Sequence, residues 1–166
     1  MEETAEPVSK AHVITVSDGV SARIREDESG RALVRILKDA GFEVSEPVVV
    51  PDEQQGIADA IVAAAEHGAD VVVTTGGTGL GPRDVTPQAT SAVIDFEVPG
   101  IGEAMRRAGA ASTPMAALSR SMAGVRGQTL IINVPGSPRG AAESLEAVVP
   151  ILAHAIKLLH GDTKHA

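Results

Sequence analysis

Two aspartates, Asp52 and Asp84, each sit on a loop among glycine, proline and serine residues, and of all side chains in this 166-residue chain they best suit a divalent cation. Magnesium is typically held by one or two carboxylates, with water and substrate phosphates completing its shell. A phosphate-binding partner for such an ion is also present. Thr75-Gly76-Gly77-Thr78-Gly79 carries closely spaced glycines whose backbone N–H groups can form an anion-binding nest, and Arg83 adds charge just beyond it. Ser137 precedes Pro138 at the head of an apolar-periodic run, which predicts a helix N-terminus with free N–H groups and a positive dipole end. Simpler roles compete for both aspartates: a helix N-cap for Asp52, and a partner of Arg83 or a cap of a helix starting at Thr86 for Asp84.

The established phosphate-loop patterns are not met. A P-loop needs a lysine directly after its second glycine, and no lysine stands between Lys38 and Lys157. In Gly77-Thr78-Gly79-Leu80-Gly81 the third glycine comes one residue too early for a dinucleotide fingerprint. The histidines do not compete for a metal. His154 and His160 are misplaced for sharing one on a helix face, and His12, His67 and His165 are scattered, so all read as solvated or packed. Arg106-Arg107 reads as a solvated helix face, and Arg23 to Glu28 as a mobile surface turn or at most a lid.

Positioning these residues falls to an aliphatic α/β core. With no Cys, Trp or Tyr and two Phe, the chain lacks disulfides, thiolate catalysis, cysteine-ligated metal and a base-stacking platform. Its formal charge of -8 opposes broad binding to nucleic acid or an anionic membrane. The start, MEETAEPVS, has the wrong charge for a signal peptide, and no apolar run approaches the roughly 20 residues of a membrane span, so a cytoplasmic location is expected.

Short β-branched runs at Ala11–Ser17, Phe42–Val50 and Asp70–Thr75 predict strands, and they alternate with helical patterns through Leu33–Ala40 and Ile57–Ala65. Gly41 is placed to end the first helix in the left-handed conformation. Such alternation predicts a parallel sheet covered on both faces. Further helices are expected over Thr86–Ile94, Gly100–Ala108 and Pro114–Leu118. Ser121–Arg126 and Thr129–Val134 flank Gly127-Gln128 as a hairpin, and a long last helix runs through Leu145, Val148, Leu152 and Ile156. The expected fold is three-layered, with a mostly parallel central sheet, helices on both faces and a small β-hairpin in the C-terminal half. Residues 11–161 form one domain between a flexible acidic tail, 1–10, and a polar tail, 162–166. The loops Ser17-Asp18-Gly19, Pro51-Asp52-Glu53, Thr75 to Gly79 and Pro135-Gly136-Ser137 all follow strands, so they should face one crevice.

Thr74-Thr75-Gly76-Gly77-Thr78-Gly79 followed by Arg83-Asp84-Val85-Thr86-Pro87 resembles the signature of the molybdenum-cofactor biosynthesis fold. Val16-Ser17-Asp18, Val50-Pro51-Asp52-Glu53, Pro99 to Glu103, Leu118-Ser119-Arg120 and Asn133-Val134-Pro135-Gly136 recur in order in its molybdopterin adenylyltransferase branch, of the Mog and MoaB type. The resemblance implies that the terminal phosphate of molybdopterin attacks the α-phosphate of magnesium ATP, giving adenylyl-molybdopterin and pyrophosphate. By matching position it implies that Asp52 and Asp84 bind Mg2+ and align the reactants. It likewise implies that Ser17, Asp18, Thr75, Gly76, Gly77, Thr78, Gly79, Ser119, Arg120, Gly136 and Ser137 bind substrate. A homotrimer and hand-over to a molybdate-inserting enzyme are implied as well. The same likeness leaves open a pterin-binding protein without efficient transfer, a scaffold module, and a nucleotide pyrophosphatase. Scarce aromatics imply that the pterin is held by backbone and polar contacts, and which loop takes adenine stays open.

Overall fold

The computed structural model describes residues 5–164; the acidic tail's first four residues and the last two of the polar tail lie outside them. Strand β1 (Lys10–Val16) is followed by a one-turn helix α1 (Asp18–Ser21) and by α2 (Glu28–Asp39). Strands β2 (Glu43–Val44) and β3 (Val48–Val50) precede α3 (Gln54–Glu66) and β4 (Val71–Thr75). Then come α4 (Thr86–Ser91), β5 (Phe96–Glu97), α5 (Pro99–Ala110), a 3-10 helix (Pro114–Leu118), β6 (Ala123–Arg126), β7 (Thr129–Val134) and α6 (Pro138–Leu159).

All seven strands belong to one sheet, in the order β2-β1-β4-β7-β6-β5, with β3 also pairing with β1. The pairs among β1, β2, β3, β4 and β7 are parallel, while β6 and β5 run antiparallel at one edge. The expected mostly parallel α/β sheet and the hairpin are both present. Every residue of β4 and β7 is buried; most are aliphatic, and the polar Thr75 and Asn133 donate to the Pro135 carbonyl and to the Thr74 and Thr90 hydroxyls. One face of the sheet is covered by α2, α5 and α6 through Leu33, Leu37, Met105, Leu145 and Leu152. On the other, Ile57, Ile61 and Ala89 from α3 and α4 meet Ile14, Val72 and Ile131. Burying each Leu, Ile, Val or Met side chain contributes roughly 1.5–3 kcal/mol, and Phe42, partly buried, packs against the first of these clusters.

Four expectations require correction. The predicted second strand, Phe42–Val50, is two short strands separated by Ser45, Glu46 and Pro47, because Pro47 has no N–H to give the ladder. The helix from Thr86 stops at Ser91, and Pro114–Leu118 winds as a 3-10 helix. Strand β1 begins at Lys10, within the expected tail: the Lys10 N–H donates to an Asp70 carboxylate oxygen at 2.8 Å. Two positions behave as foreseen. Gly41 (φ 94°) ends the first long helix, and Gly127 (φ 59°) turns the hairpin.

Candidate functional site

Parallel strands β1, β3, β4 and β7 end at the same edge, and their following loops meet there. The Ser17 N–H donates to the Val50 carbonyl, the Gly76 N–H to the Val134 carbonyl, and the Thr75 hydroxyl to the Pro135 carbonyl at 2.8 Å. Gly76 (φ 104°) and Gly77 (φ 69°) adopt left-handed backbone that a side chain would strain. A Cβ on Gly76 would overlap the Val16 carbonyl oxygen, and one on Gly77 the Thr86 hydroxyl. That hydroxyl donates to the Gly76 carbonyl at 2.9 Å and locks the loop against α4. The backbone also closes tightly from the other side: a Cβ on Gly136 would lie 3.2 Å from the Gly76 Cα.

Asp52 is not the N-cap expected of it. Glu53 holds that position without a side-chain bond, and the Asp52 Oδ2 accepts the Asp18 N–H at 2.8 Å. The Asp18 Oδ1 in turn accepts the Asp52 N–H at 3.0 Å. Arg83 does not pair with Asp84; its guanidinium grips the Asp18 carboxylate at 2.6 and 3.0 Å. Asp84 caps no helix either, since Val85 precedes α4, and its Oδ2 accepts the Gly81 N–H at 2.8 Å. Burial pushes the Asp52 carboxyl above the usual carboxylate range, and the negative charges of Asp18 and Asp84 add to this. The Arg83 hydrogen bonds hold the Asp18 carboxyl below that range, helped by the Asp52 N–H.

Ser17 and Ser137 are both N-caps, accepting the N–H of Val20 and Gly140 at 3.2 and 3.1 Å. Each hydroxyl keeps its own proton to donate. Ser119 is tied to Ser121, with 2.8 Å between the two hydroxyls. The Arg120 guanidinium turns inward, donating to the carbonyls of Gly79 and Asp84 at 2.9 and 2.6 Å and to Gln88 at 3.1 Å, so it staples the glycine loop. Its backbone N–H completes the staple on the Thr78 carbonyl.

Two cavities open on this edge. The larger, about 840 Å³, is lined by Thr15, Ser17, Arg25, Ser29, Asp52 and Thr75 among others. The smaller, about 420 Å³, is lined by Thr78, Met105, Met115, Leu118, Ser119 and Glu143 among others. Gly77, Asp84, Gly136 and Ser137 line both, so they form the shared wall. This arrangement admits two ligands whose charged ends meet at the glycine loop and the α6 N-terminus.

Residues 12–154 match the family model described as "Probable molybdopterin binding domain". The chain belongs to this family of molybdenum cofactor biosynthesis proteins. Within it, the molybdopterin adenylyltransferase of Helicobacter pylori strain 26695 is 40% identical over 153 residues, covering 90% of this chain and 87% of that protein. A molybdenum cofactor biosynthesis bifunctional protein from Synechococcus elongatus is 42% identical over 151 residues, and the match spans 91% of this chain but 47% of that protein. Among solved structures, the molybdopterin biosynthesis enzyme MoaB of Thermus thermophilus superposes with a TM-score of 0.86 at 49% identity, covering 93% of this chain and 98% of that one.

Of the residues named from sequence, the crevice gathers Ser17, Asp52, Thr75 to Gly79, Asp84, Gly136 and Ser137, Ser119 lines only the smaller cavity, and Asp18 and Arg120 line neither. Three features escaped that reading. Arg106 is not a purely solvated residue: it donates to the Ser121 carbonyl at 2.7 Å and lines the smaller cavity, while Arg107 stays exposed. Asp27, within the expected surface turn, caps α2 by accepting the Gly30 N–H at 2.9 Å, and it also accepts the Thr15 hydroxyl at 2.8 Å. An Asp three residues before Gly30 was the signal available for it. Glu143 lines the smaller cavity from α6, and nothing in its local sequence marks it. His160 is paired with Asp70 at 2.9 Å, far from the crevice loops in the fold.

Proposed function

We propose that this protein transfers the adenylyl group of ATP to the terminal phosphate of molybdopterin. A phosphate oxygen forms a bond to the α-phosphorus, the α–β bridging P–O bond breaks, and pyrophosphate leaves with the electron pair. The nucleophile needs no protein base, because a phosphate monoester with a second pKa of about 6 is largely dianionic at neutral pH. What the protein contributes is alignment and charge compensation. The observation that carries this reading is the shared wall of the two cavities, where loop glycines, Asp84 and the capped start of α6 come together.

Asp52 and Asp84 suit magnesium. Asp52 spends Oδ2 on the Asp18 N–H and Asp84 spends Oδ2 on the Gly81 N–H, which leaves Oδ1 of each without a protein partner among the described residues. An ion held by these two oxygens would be completed by water and substrate phosphates. Bound there, magnesium would neutralise phosphate charge and favour departure of pyrophosphate. With the Gly76 N–H already given to the Val134 carbonyl, the Gly77, Thr78 and Gly79 amides and the α6 N-terminus hold phosphate oxygens, and the Ser17 and Ser137 hydroxyls donate to the substrates. Arg120 acts by fixing the loop.

The active form is read as a homotrimer working in the cytoplasm and passing its product to a molybdate-inserting enzyme. No helix among the described residues is long and apolar enough to cross a membrane. The test incubates the purified protein with molybdopterin, ATP and magnesium and separates the products by chromatography. Adenylyl-molybdopterin and pyrophosphate are expected in equal amounts. Retained pterin with no product contradicts the proposal, and nucleotide hydrolysis without pterin points to a pyrophosphatase.

A further inference from the structure

Beneath the glycine loop lies a buried polar group that the proposed chemistry does not use. Asn133 in β7 is fully buried, as are Thr74 in β4 and Thr90 in α4. Its Nδ2 donates to both threonine hydroxyls at 2.9 Å, and its Oδ1 has no hydrogen-bond partner among the described residues. Turning the amide over would let Oδ1 accept from the two hydroxyls but would leave Nδ2 unmatched, so either orientation orphans one polar group. An orphaned group in the core lowers stability. Two residues earlier on the same faces of their strands, Ile131 and Val72 meet the helical layer with aliphatic side chains, so an amide is not what packing alone calls for at Asn133.

What the amide joins is the base of the glycine loop. Thr74 and Asn133 are register partners across β4 and β7, and these strands run on directly into Gly76 and Gly136. Thr90 stands one turn beyond Thr86, on the same face of α4. That helix has six residues and no side-chain N-cap, and its own buried apolar residues are Pro87 and Ala89 alone, so little else holds it to the sheet. Yet its first residue clamps the loop: the Thr86 hydroxyl donates to the Gly76 carbonyl at 2.9 Å and the Thr86 N–H to the Gly77 carbonyl at 3.1 Å. Asn133 ties the other end of α4 to the two strands from which the loop and its facing wall emerge. It lines neither cavity.

We propose that Asn133 is a positioning residue: through Thr90 it fixes α4, and through α4 the Thr86 clamp that aims the Gly77 to Gly79 amides at the reacting phosphates. This rests on the adenylyl-transfer reading above and adds to it what holds the loop ready before substrate arrives. A displacement of about 1 Å at a reacting centre can cost 10²-fold in rate.

The test replaces the whole network by apolar groups of similar shape, Thr74→Val, Thr90→Val and Asn133→Leu together. With no polar group left unmatched, this variant should melt no lower than the parent. Its kcat should nonetheless fall about 10- to 100-fold, with the KM values for ATP and molybdopterin close to those of the parent. Amide hydrogen exchange should quicken at Gly77 to Gly79 and stay unchanged at Val71 to Val73. Thr90→Val alone cuts the tie to α4 and should show the same pattern more weakly, while Thr90→Ser, which keeps the hydroxyl, should recover most of the turnover; this pair decides the matter if the triple variant folds poorly. Full turnover with unchanged loop exchange overturns the proposal, and so does faster exchange spread evenly over the sheet, which marks a purely structural role. If the parent forms no adenylyl-molybdopterin, the adenylyl-transfer reading fails, and the exchange at Gly77 to Gly79 still decides whether Asn133 holds the loop.

Discussion

Asp18 and Asp52 clasp each other, each carboxylate accepting the other's backbone N–H, at 2.8 Å and 3.0 Å. The clasp joins the end of β1 to the end of β3 and fixes the direction of the Asp52 side chain. Asn can reproduce it, because its amide oxygen also accepts the Asp18 N–H. Asp52→Asn should therefore leave the melting temperature close to that of the parent while removing charge from the site.

For Asp52→Asn and Asp84→Asn we expect turnover to fall about 100-fold or more, the scale for losing one preorganised charge at a reacting phosphate. Steady-state rates at saturating ATP and increasing magnesium check this. Full turnover in either variant would remove that residue from the metal role.

Gly76→Ala should destabilise the fold by about 1–3 kcal/mol, since it forces a side chain into left-handed backbone against the Val16 carbonyl. Denaturant melts measure it directly. A neutral result would mean that the loop can relax, and the nest would then not be rigidly preformed.

Arg120→Lys tests whether the guanidinium staples the loop. Lysine's single ammonium cannot span the carbonyls of Gly79 and Asp84 together with Gln88. We expect kcat/KM to drop about tenfold, with loop amides near Gly79 exchanging hydrogen faster. Loss of substrate affinity with unchanged exchange would instead assign Arg120 to direct substrate contact.

His12 supplies a pH signature away from the crevice. Burial pushes its imidazole below the ordinary 6.5, with His67 and Lys10 adding repulsion. As pH falls through 6.5 the unfolded chain gains a proton that the folded chain resists, so stability declines until the folded group also titrates. His12→Gln should flatten the stability curve on the acid side of 6.5, as followed by urea midpoints from neutral to mildly acidic pH.

How much of this was legible in the sequence depends on what each residue's role requires. Val71 to Thr75 announced itself because a strand buried on both faces is rich in β-branched side chains, here three Val and two Thr. The crevice loops were legible because parallel strands deliver their following loops to one edge. The split of β2 from β3 and the two-residue β5 were not, since runs that short carry no period. Asp52 and Asp84 stood out as candidates by their loops, and both line the crevice, but their surroundings were not legible: the Asp18–Asp52 clasp and the Arg83–Asp18 pair join segments distant along the chain. Glu143 and Arg106 lie on α6 and α5, and only the packing of those helices brings both to one cavity.

In the proposed reaction one phosphate attacks another across the shared wall of Gly77, Asp84, Gly136 and Ser137. Its most direct test uses ATP labelled at the α-phosphorus, mixed with molybdopterin, magnesium and a stoichiometric amount of protein. The label should move onto the pterin at the rate at which unlabelled pyrophosphate appears. Label recovered only as ATP, or released as AMP at a rate indifferent to pterin, would contradict it.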